Sequence, residues 1–380
     1  MTEFTTARPH VCVDDTRPRE RGFARGTQLR TDLTASVELY LRLFDTVGVS
    51  ENRTRDSAHR LADVLGAWGP RYLEEIEGIA AGAGLEPWHV MALNGRTEIL
   101  SQATAARPGE CSTIAYAPAD RASAPFGIQT WDWHQELDPY WHTHQVRGTR
   151  HSYVGLTEHG ILGKIGMNSA GLGVFFNILG HRDDAPAGVP VHILSAAVLG
   201  EAGTVGEALD LLRSAPIATS GALTLIDPDT VACAEVSPVG VATLHPTDGF
   251  LTHTNHFLDP ANAAREKAGL YEPDSQDRYG LIVSRQQRYA APTVADHLVE
   301  YLYSDPGQPQ LCCIPAPDAV FGQRWATLST VLLEPEHRRA RILAGTPIDA
   351  RRRSWTTLDA TAPATAHAPA TAPSPAFVAG

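Results

Sequence analysis

The 380-residue chain has no excess of positive charge: Lys and Arg total 31 against 43 Asp and Glu, a formal net charge of -12. Proteins that hold phosphate backbones or anionic lipid do so through basic patches, so neither nucleic acid nor a membrane surface is an expected partner. The one basic concentration, Arg338, Arg339 and Arg341 followed by Arg351 to Arg353, reads as a solvated helix end or linker. Long apolar runs are missing too, and no stretch reaches the roughly 18 residues of a membrane span. The N-terminal stretch MTEFTTARPHVCVDDTRPRERGF mixes acids and bases without the apolar centre of a secretory signal, so a cytoplasmic location is expected. Cysteine is scarce: Cys12, Cys111, Cys233, Cys312 and Cys313 are odd in number, with no C-x-x-C. That argues against a disulfide framework or a zinc knuckle. The adjacent Cys312 and Cys313 read as core or loop thiols with no resolving partner.

A hydrophobic content of 43% is enough for one large core. The first hundred residues read as helical, with apolar positions recurring at three and four in TDLTASVELYLRLFDTVG and SAHRLADVLGAWG. PRYLEEIEGIAAGAGL opens on Pro70, suited to a first helical turn, and closes on glycines suited to a C-terminal cap. EPWHVMALNGRTEIL continues the helical series. From Cys111 the pattern changes to short β-favouring runs, STIAYA, FGIQTW, SYVGLTEHG, ILGKIGM and GLGVFFNIL. Helices return at VPVHILSAAVLG and at TVGEALDLLRSAP, where Thr204 and Glu207 stand in capping-box register. Strands resume around the Asp227 turn and through GFLTHTNHF. Two amphipathic helices and a last hairpin, WATLSTVLLEP with RARILAG, follow.

This order fits two antiparallel sheets with helices outside them better than a regularly alternating parallel sheet. The expected organisation is an N-terminal arm over 1–29, a single domain over 30–355, and a disordered Ala/Thr/Pro tail over 356–380.

Position 111 lies where helical sequence gives way to strand sequence, and a cysteine opens the first strand. If the bond before it were cut, the Cys111 α-amine, with a pKa of about 7.7 to 8.0, would accept the proton of its own thiol. One residue would then be nucleophile and base together. The competing reading is a small hydrophobe packed at a strand start.

YLEEIEGIAAGAGLEPWHVMALNGRTE, ECSTIAY, WDW, GLGVFFNIL and TNHF together resemble the isopenicillin N acyltransferase family of Ntn (N-terminal nucleophile) hydrolases. That family groups penicillin-forming acyltransferases with hydrolases of small acyl-amines. The resemblance implies an α+β fold, a four-layer αββα sandwich. It also implies self-cleavage between Glu110 and Cys111 into an α chain of about 1–110 and a β chain from 111, which stay associated. By the same resemblance Cys111 is the nucleophile, Asp132 orients the new amine, Asn255 donates to the oxyanion, and Arg324 lies near the substrate. Arg96 and Glu98 match a motif upstream of the cut and either pair on one helix or reach the site, while Trp131 and His256 flank the matched aspartate and asparagine. Thr130 stands where asparagine is usual, and Glu110 where a small residue is common.

The resemblance implies no cofactor and no metal, with acyl-CoA as a substrate only if the enzyme is a transferase. Its expected partners are a small acyl-amine and the two fragments of the precursor. Two rivals remain at this stage. One is a metal-dependent hydrolase using His134, His142 and His144 with His253 and His256; residues 142 and 144 would share a strand face. The other is a non-catalytic homologue that keeps the fold and never cleaves. Ser169 in GMNSAG misses the G-x-S-x-G elbow and reads as a turn.

Overall fold

The computed structural model describes residues 8–103, 111–118, 123–267, 269 and 274–362. Strand β1 (His10–Asp14) is followed by six helices: α1 (Pro18–Gln28), α2 (Arg30–Thr46), α3 (Glu51–Trp68), α4 (Pro70–Ala83), α5 (Pro87–Asn94) and α6 (Arg96–Leu100). Six strands come next: β2 (Ser112–Tyr116), β3 (Phe126–His134), β4 (Trp141–Arg147), β5 (Tyr153–Glu158), β6 (Ile165–Asn168) and β7 (Gly173–Ile178). Helices α7 (Val191–Glu201) and α8 (Val205–Ser214) separate them from β8 (Gly221–Ile226), β9 (Val231–Ser237), β10 (Gly240–Leu244) and β11 (Phe250–His253). The described chain ends with α9 (Pro260–Ala263), α10 (Asp274–Gln286), a 3₁₀ segment Ala295–Leu302, and β12 (Trp325–Glu334), β13 (Arg339–Ala344) and β14 (Thr356–Asp359).

Two sheets face each other. The larger runs β1-β4-β5-β6-β7-β8-β9-β10 and the smaller β11-β2-β3-β12-β13-β14. Helices α7 and α8 cover the outer face of the larger sheet, while α10 and the 3₁₀ segment cover the smaller. This is an α+β sandwich in the αββα order expected from the sequence. Strands β2, β3, β7, β8 and β9 are buried at every residue, as strands covered on both faces must be.

One pairing departs from the antiparallel expectation: β1 lies parallel to β4, with Val11 opposite His144. The part of the expected arm from His10 onward therefore packs as part of the domain. Its charges concealed this, because Arg21 and Arg25 are buried and both bind Glu75 of α4, at 2.6 and 2.9 Å. Close approach of α1 and α4 requires glycine. A Cβ on Gly22 or Gly26 would lie 2.1 Å from the Glu75 or Ile79 carbonyl oxygen, and one on Gly78 2.2 Å from that of Arg19. The expected tail begins later than 356, since Thr356–Asp359 pairs with β13 and the buried Leu358 supplies an apolar anchor. Residues 363–380 lie outside the described part of the chain.

Local signals read from the sequence hold at the end of α4 and in part at the start of α8. Gly84 caps α4 at φ 76°. The Thr204 hydroxyl accepts the Glu207 N–H at 3.2 Å, while the Glu207 carboxylate takes the Gly203 N–H at 2.9 Å, one residue before the expected reciprocal partner. No helix of the described residues is long and apolar enough to cross a membrane.

Candidate active site

Cys111 immediately precedes β2, and its thiol lies against the β3 backbone: the Asp132 N–H points to Sγ at 3.4 Å, and Sγ is 3.8 Å from the Asp132 carbonyl oxygen. The Cys111 carbonyl oxygen accepts from Asn177 Nδ2 at 2.9 Å and from Arg278 Nη1 at 3.1 Å. A cavity of about 10 Å³ adjoins the thiol, bounded by Arg96, Trp131, Asp132, Trp133, Lys164 and Ile178. Cys111 itself is buried. Glu110, the residue before the expected cut, lies outside the described residues.

Asn255 joins this cluster through its neighbours. Arg278 Nη2 donates to Asn255 Oδ1 at 3.0 Å, and Asn255 Nδ2 donates to the Ile178 carbonyl oxygen at 3.0 Å. The guanidinium thus fixes which end of the amide faces Ile178, a residue on the cavity wall. One further N–H of that amide remains to donate. His256 stands one step behind: its Nδ1 is 2.8 Å from Ser275 Oγ, which accepts the Asn255 N–H at 2.7 Å. Burial lowers the His256 pKa to about 4, so the ring is neutral.

Asp132 meets Cys111 through its backbone. Its carboxylate is buried, and burial pushes its pKa up to about 7, with the Thr327 hydroxyl and the Arg278 charge opposing the rise. Arg96 reaches the cavity: its Nη2 binds Glu158 at 2.9 Å and its guanidinium lies 3.8 Å over the Trp133 ring. Glu98 turns toward α7, accepting the Val191 N–H at 2.9 Å. Burial raises its pKa to about 7. Trp131 stacks beneath the Lys164 ammonium at 3.9 Å. Arg324 is exposed, donating to the Ala319 carbonyl oxygen and lying 3.6 Å from Glu136, and it is not among the residues bounding the thiol cavity. The buried arginine of the cluster is Arg278 instead.

Arg278, Asn177 and Lys164 were not singled out from the sequence. Arg278 gave one signal, since it falls on the apolar face of an amphipathic helix with Ser275, Ile282 and Arg285, where an unpaired arginine is disfavoured. Asn177 and Lys164 sit in strand-like runs where nothing in the spacing marks them.

The histidines are occupied separately. His142 Nδ1 is 3.2 Å from His159 Nδ1, Arg25 holds His144 at 3.1 Å, and His253 lies between Glu235 and the Thr254 carbonyl oxygen. Among the described residues no group of three or more His, Cys, Asp or Glu is placed to hold a metal ion.

A larger cavity of about 590 Å³ lies beyond Trp133, which bounds both spaces. Its walls include Tyr40, Leu43, Phe44, Val47, Phe321 and Trp325. The Trp133 indole N–H donates to the Tyr40 hydroxyl at 2.9 Å. Among the described residues no Lys or Arg lines this cavity; its polar groups include His134, Asp318 and Gln323.

A family model described as acyl-coenzyme A:6-aminopenicillanic acid acyl-transferase matches residues 120–349, more than half of the chain. The chain belongs to this family. The matched region begins after Cys111 and spans Asp132, Lys164, Asn255 and Arg278. The acyl-coenzyme A:6-aminopenicillanic-acid-acyltransferase 40 kDa form of Emericella nidulans is 28% identical over 298 residues, covering 71% of this chain and 75% of that protein. Among solved structures, penicillin V acylase from Agrobacterium tumefaciens aligns with a TM-score of 0.42 at 13% identity, over 66% of this chain and 86% of that one. A Caenorhabditis elegans ortholog of N-acylethanolamine-hydrolyzing acid amidase aligns with a TM-score of 0.41 at 16% identity, over 59% and 93%. Family membership places the chain among acyltransferase-type enzymes.

Proposed function

We propose that the chain is the precursor of an N-terminal-cysteine amidohydrolase or acyltransferase, cut between Glu110 and Cys111 and acting on a small acyl-amine. The observation that carries this reading is the setting of Cys111. Its thiol abuts a small cavity, its carbonyl is clamped by Asn177 and Arg278, and the same Arg278 orients Asn255.

In the mature enzyme the Cys111 α-amine takes the thiol proton, and the thiolate attacks the substrate carbonyl. Asn255 donates its remaining amide N–H to the oxyanion, an interaction of about 2.7 to 4 kcal/mol when aimed where charge develops. The leaving amine takes the proton back, leaving an acyl thioester on Cys111, and water or a second amine then accepts the acyl group. Asp132 orients the ammonium through its carboxylate. None of these steps calls for a cofactor; acyl-CoA enters only as a donor if transfer is the activity. The apolar cavity beyond Trp133 suits the hydrocarbon part of an uncharged acyl group, because it offers no cation to a carboxylate. Hydrolysis is the preferred reading.

Denaturing mass spectrometry of purified protein tests this. Two fragments meeting at Glu110/Cys111, absent in Cys111→Ala, are expected, together with acyl-amine cleavage by the wild type alone. An intact wild-type chain whose activity equals that of Cys111→Ala refutes the reading and favours a non-cleaving homologue. A panel of acyl-amines with added amine acceptors separates hydrolysis from transfer.

A further inference from the structure

Self-cleavage poses a chemical difficulty that mature turnover does not. Before the cut the nitrogen of Cys111 is an amide, so the base that serves the mature enzyme does not yet exist, and the thiol needs another proton acceptor.

Among the described residues that border the cavity at the thiol, Asp132 and Lys164 are able to take up a proton; Asp132 meets the thiol through its backbone, which leaves Lys164. Its ammonium lies 3.9 Å over Trp131 and 2.7 Å from Glu158. Arg96 and Lys164 both bind the single carboxylate of Glu158, and the Tyr40 hydroxyl donates to that carboxylate as well. Burial keeps Tyr40 and His192 in their neutral forms. Against the burial that would raise it, Arg96 and Lys164 hold Glu158 ionised. Among the described residues, Arg96 and Lys164 bring their charges to the cavity that Cys111 borders, with Glu158 and the Asp132 carboxyl as the acids beside them. A thiolate formed there lies beside an ammonium that compensates it, and a buried charge without such compensation is costly.

We propose that Lys164 is the proton acceptor and counter-ion of the Cys111 thiol in the uncut chain, a task that the α-amine takes over once Cys111 is N-terminal. The neutral amine of Lys164 takes the thiol proton. The thiolate adds to the Glu110 carbonyl, and the Glu110–Cys111 C–N bond breaks as the nitrogen leaves with the proton returned by Lys164. Water opens the resulting thioester to give the Glu110 carboxylate and free thiol. Burial, opposed by Glu158, brings Lys164 down to about 8, so a useful fraction is neutral near physiological pH.

The assignment rests on the self-cleaving reading, and the two fail differently. Freshly translated chains are followed by denaturing mass spectrometry, with near-ultraviolet circular dichroism as the check on folding. Lys164→Met should cut at least about 100-fold more slowly than wild type, the usual scale of a lost general base. Lys164→Arg keeps the charge yet gives up no proton, and should be slow as well. Glu158→Gln removes the carboxylate that holds the proton on Lys164, and should move the pH midpoint of cleavage downward. Wild-type cleavage rates in Lys164→Met or Lys164→Arg, or an unmoved midpoint in Glu158→Gln, overturn the assignment while leaving the role of Cys111 intact. Cleavage that persists in Cys111→Ala overturns the self-cleaving reading itself.

Discussion

Arg278 binds the Cys111 carbonyl oxygen through one guanidinium nitrogen at 3.1 Å, while a second nitrogen holds Asn255 Oδ1 at 3.0 Å. A single buried side chain on α10 thereby ties the residue that opens β2 to the residue just past β11. Arg278 Nη1 also donates to Ser112 Oγ at 2.9 Å, and Nε pairs with Asp274 at 2.6 Å.

Replacing Arg278 by Met strands several buried acceptors and frees the Asn255 amide to rotate. Acyl-amine turnover should fall by about 100-fold or more, the scale of losing one oxyanion donor. Arg324→Ala removes a bond to the Ala319 carbonyl oxygen and a surface contact with Glu136, the latter of the kind that contributes about 0 to 1 kcal/mol. Its kcat/KM should stay near the wild-type value. Steady-state kinetics on both variants decide which arginine belongs to the site.

Leu43 lies on the wall of the 590 Å³ cavity. A Leu43→Trp change fills part of that space and should raise KM for substrates with long apolar acyl groups by about tenfold, equivalent to about 1.4 kcal/mol. Acetyl-sized substrates should be unaffected. Equal effects on long and short acyl groups would show that this space is not where the acyl group sits.

Glu98 provides a test in pH. Its carboxyl stays protonated in the folded chain up to about pH 7, against a reference of 4.5. Over that window the folded state binds more protons than the unfolded one, so stability falls as pH rises through it and levels off above. Glu98→Gln keeps an acceptor for the Val191 N–H and does not ionise. Its stability at about pH 8 should exceed that of the wild type by up to the order of 3 kcal/mol, with the difference vanishing below about pH 4.5. Urea denaturation across this range measures it, and parallel pH curves for the two proteins would refute it.

The crossing of α1 and α4 predicts a stability loss away from the chemistry. Gly78→Ala places a Cβ against the Arg19 backbone, where only a shift of the whole helix relieves the overlap. A loss of about 1 to 3 kcal/mol is expected, as for other overpacked cores. Thermal unfolding of the variant measures it, and an unchanged midpoint would show that the two helices separate readily.

Much of the architecture is encoded locally. Helix starts and stops at Pro70, Gly84 and Thr204, the strand runs from Ser112 onward, and the helix-sheet order that makes an αββα sandwich all follow from short-range chemistry. So does the placement of Cys111 at a strand opening. Asp132 and Asn255 entered through motif resemblance, and the structure brings both of them to the neighbourhood of Cys111. What sequence reading missed depends on partners far along the chain. Within the expected arm, Arg21 and Arg25 are core residues only because Glu75, about fifty positions later, binds both. Arg324 entered through the resemblance, which places an arginine near the substrate pocket. Arg278, marked by no motif, is distinguished by burial and by four acceptors, the Cys111 carbonyl oxygen, Ser112 Oγ, Asn255 Oδ1 and the Asp274 carboxylate.

Composition and periodicity by themselves determined the layers and the caps, because those properties are carried by residues within a turn or two of one another, while Cys111 was marked out as nucleophile by the family resemblance. The tertiary structure alone decided which charges meet in the dry space beside that nucleophile. Arg96, Glu158 and Lys164 come from a helix, a strand and a loop. Their interaction exists only where the chain brings them together and excludes the water that would otherwise screen it.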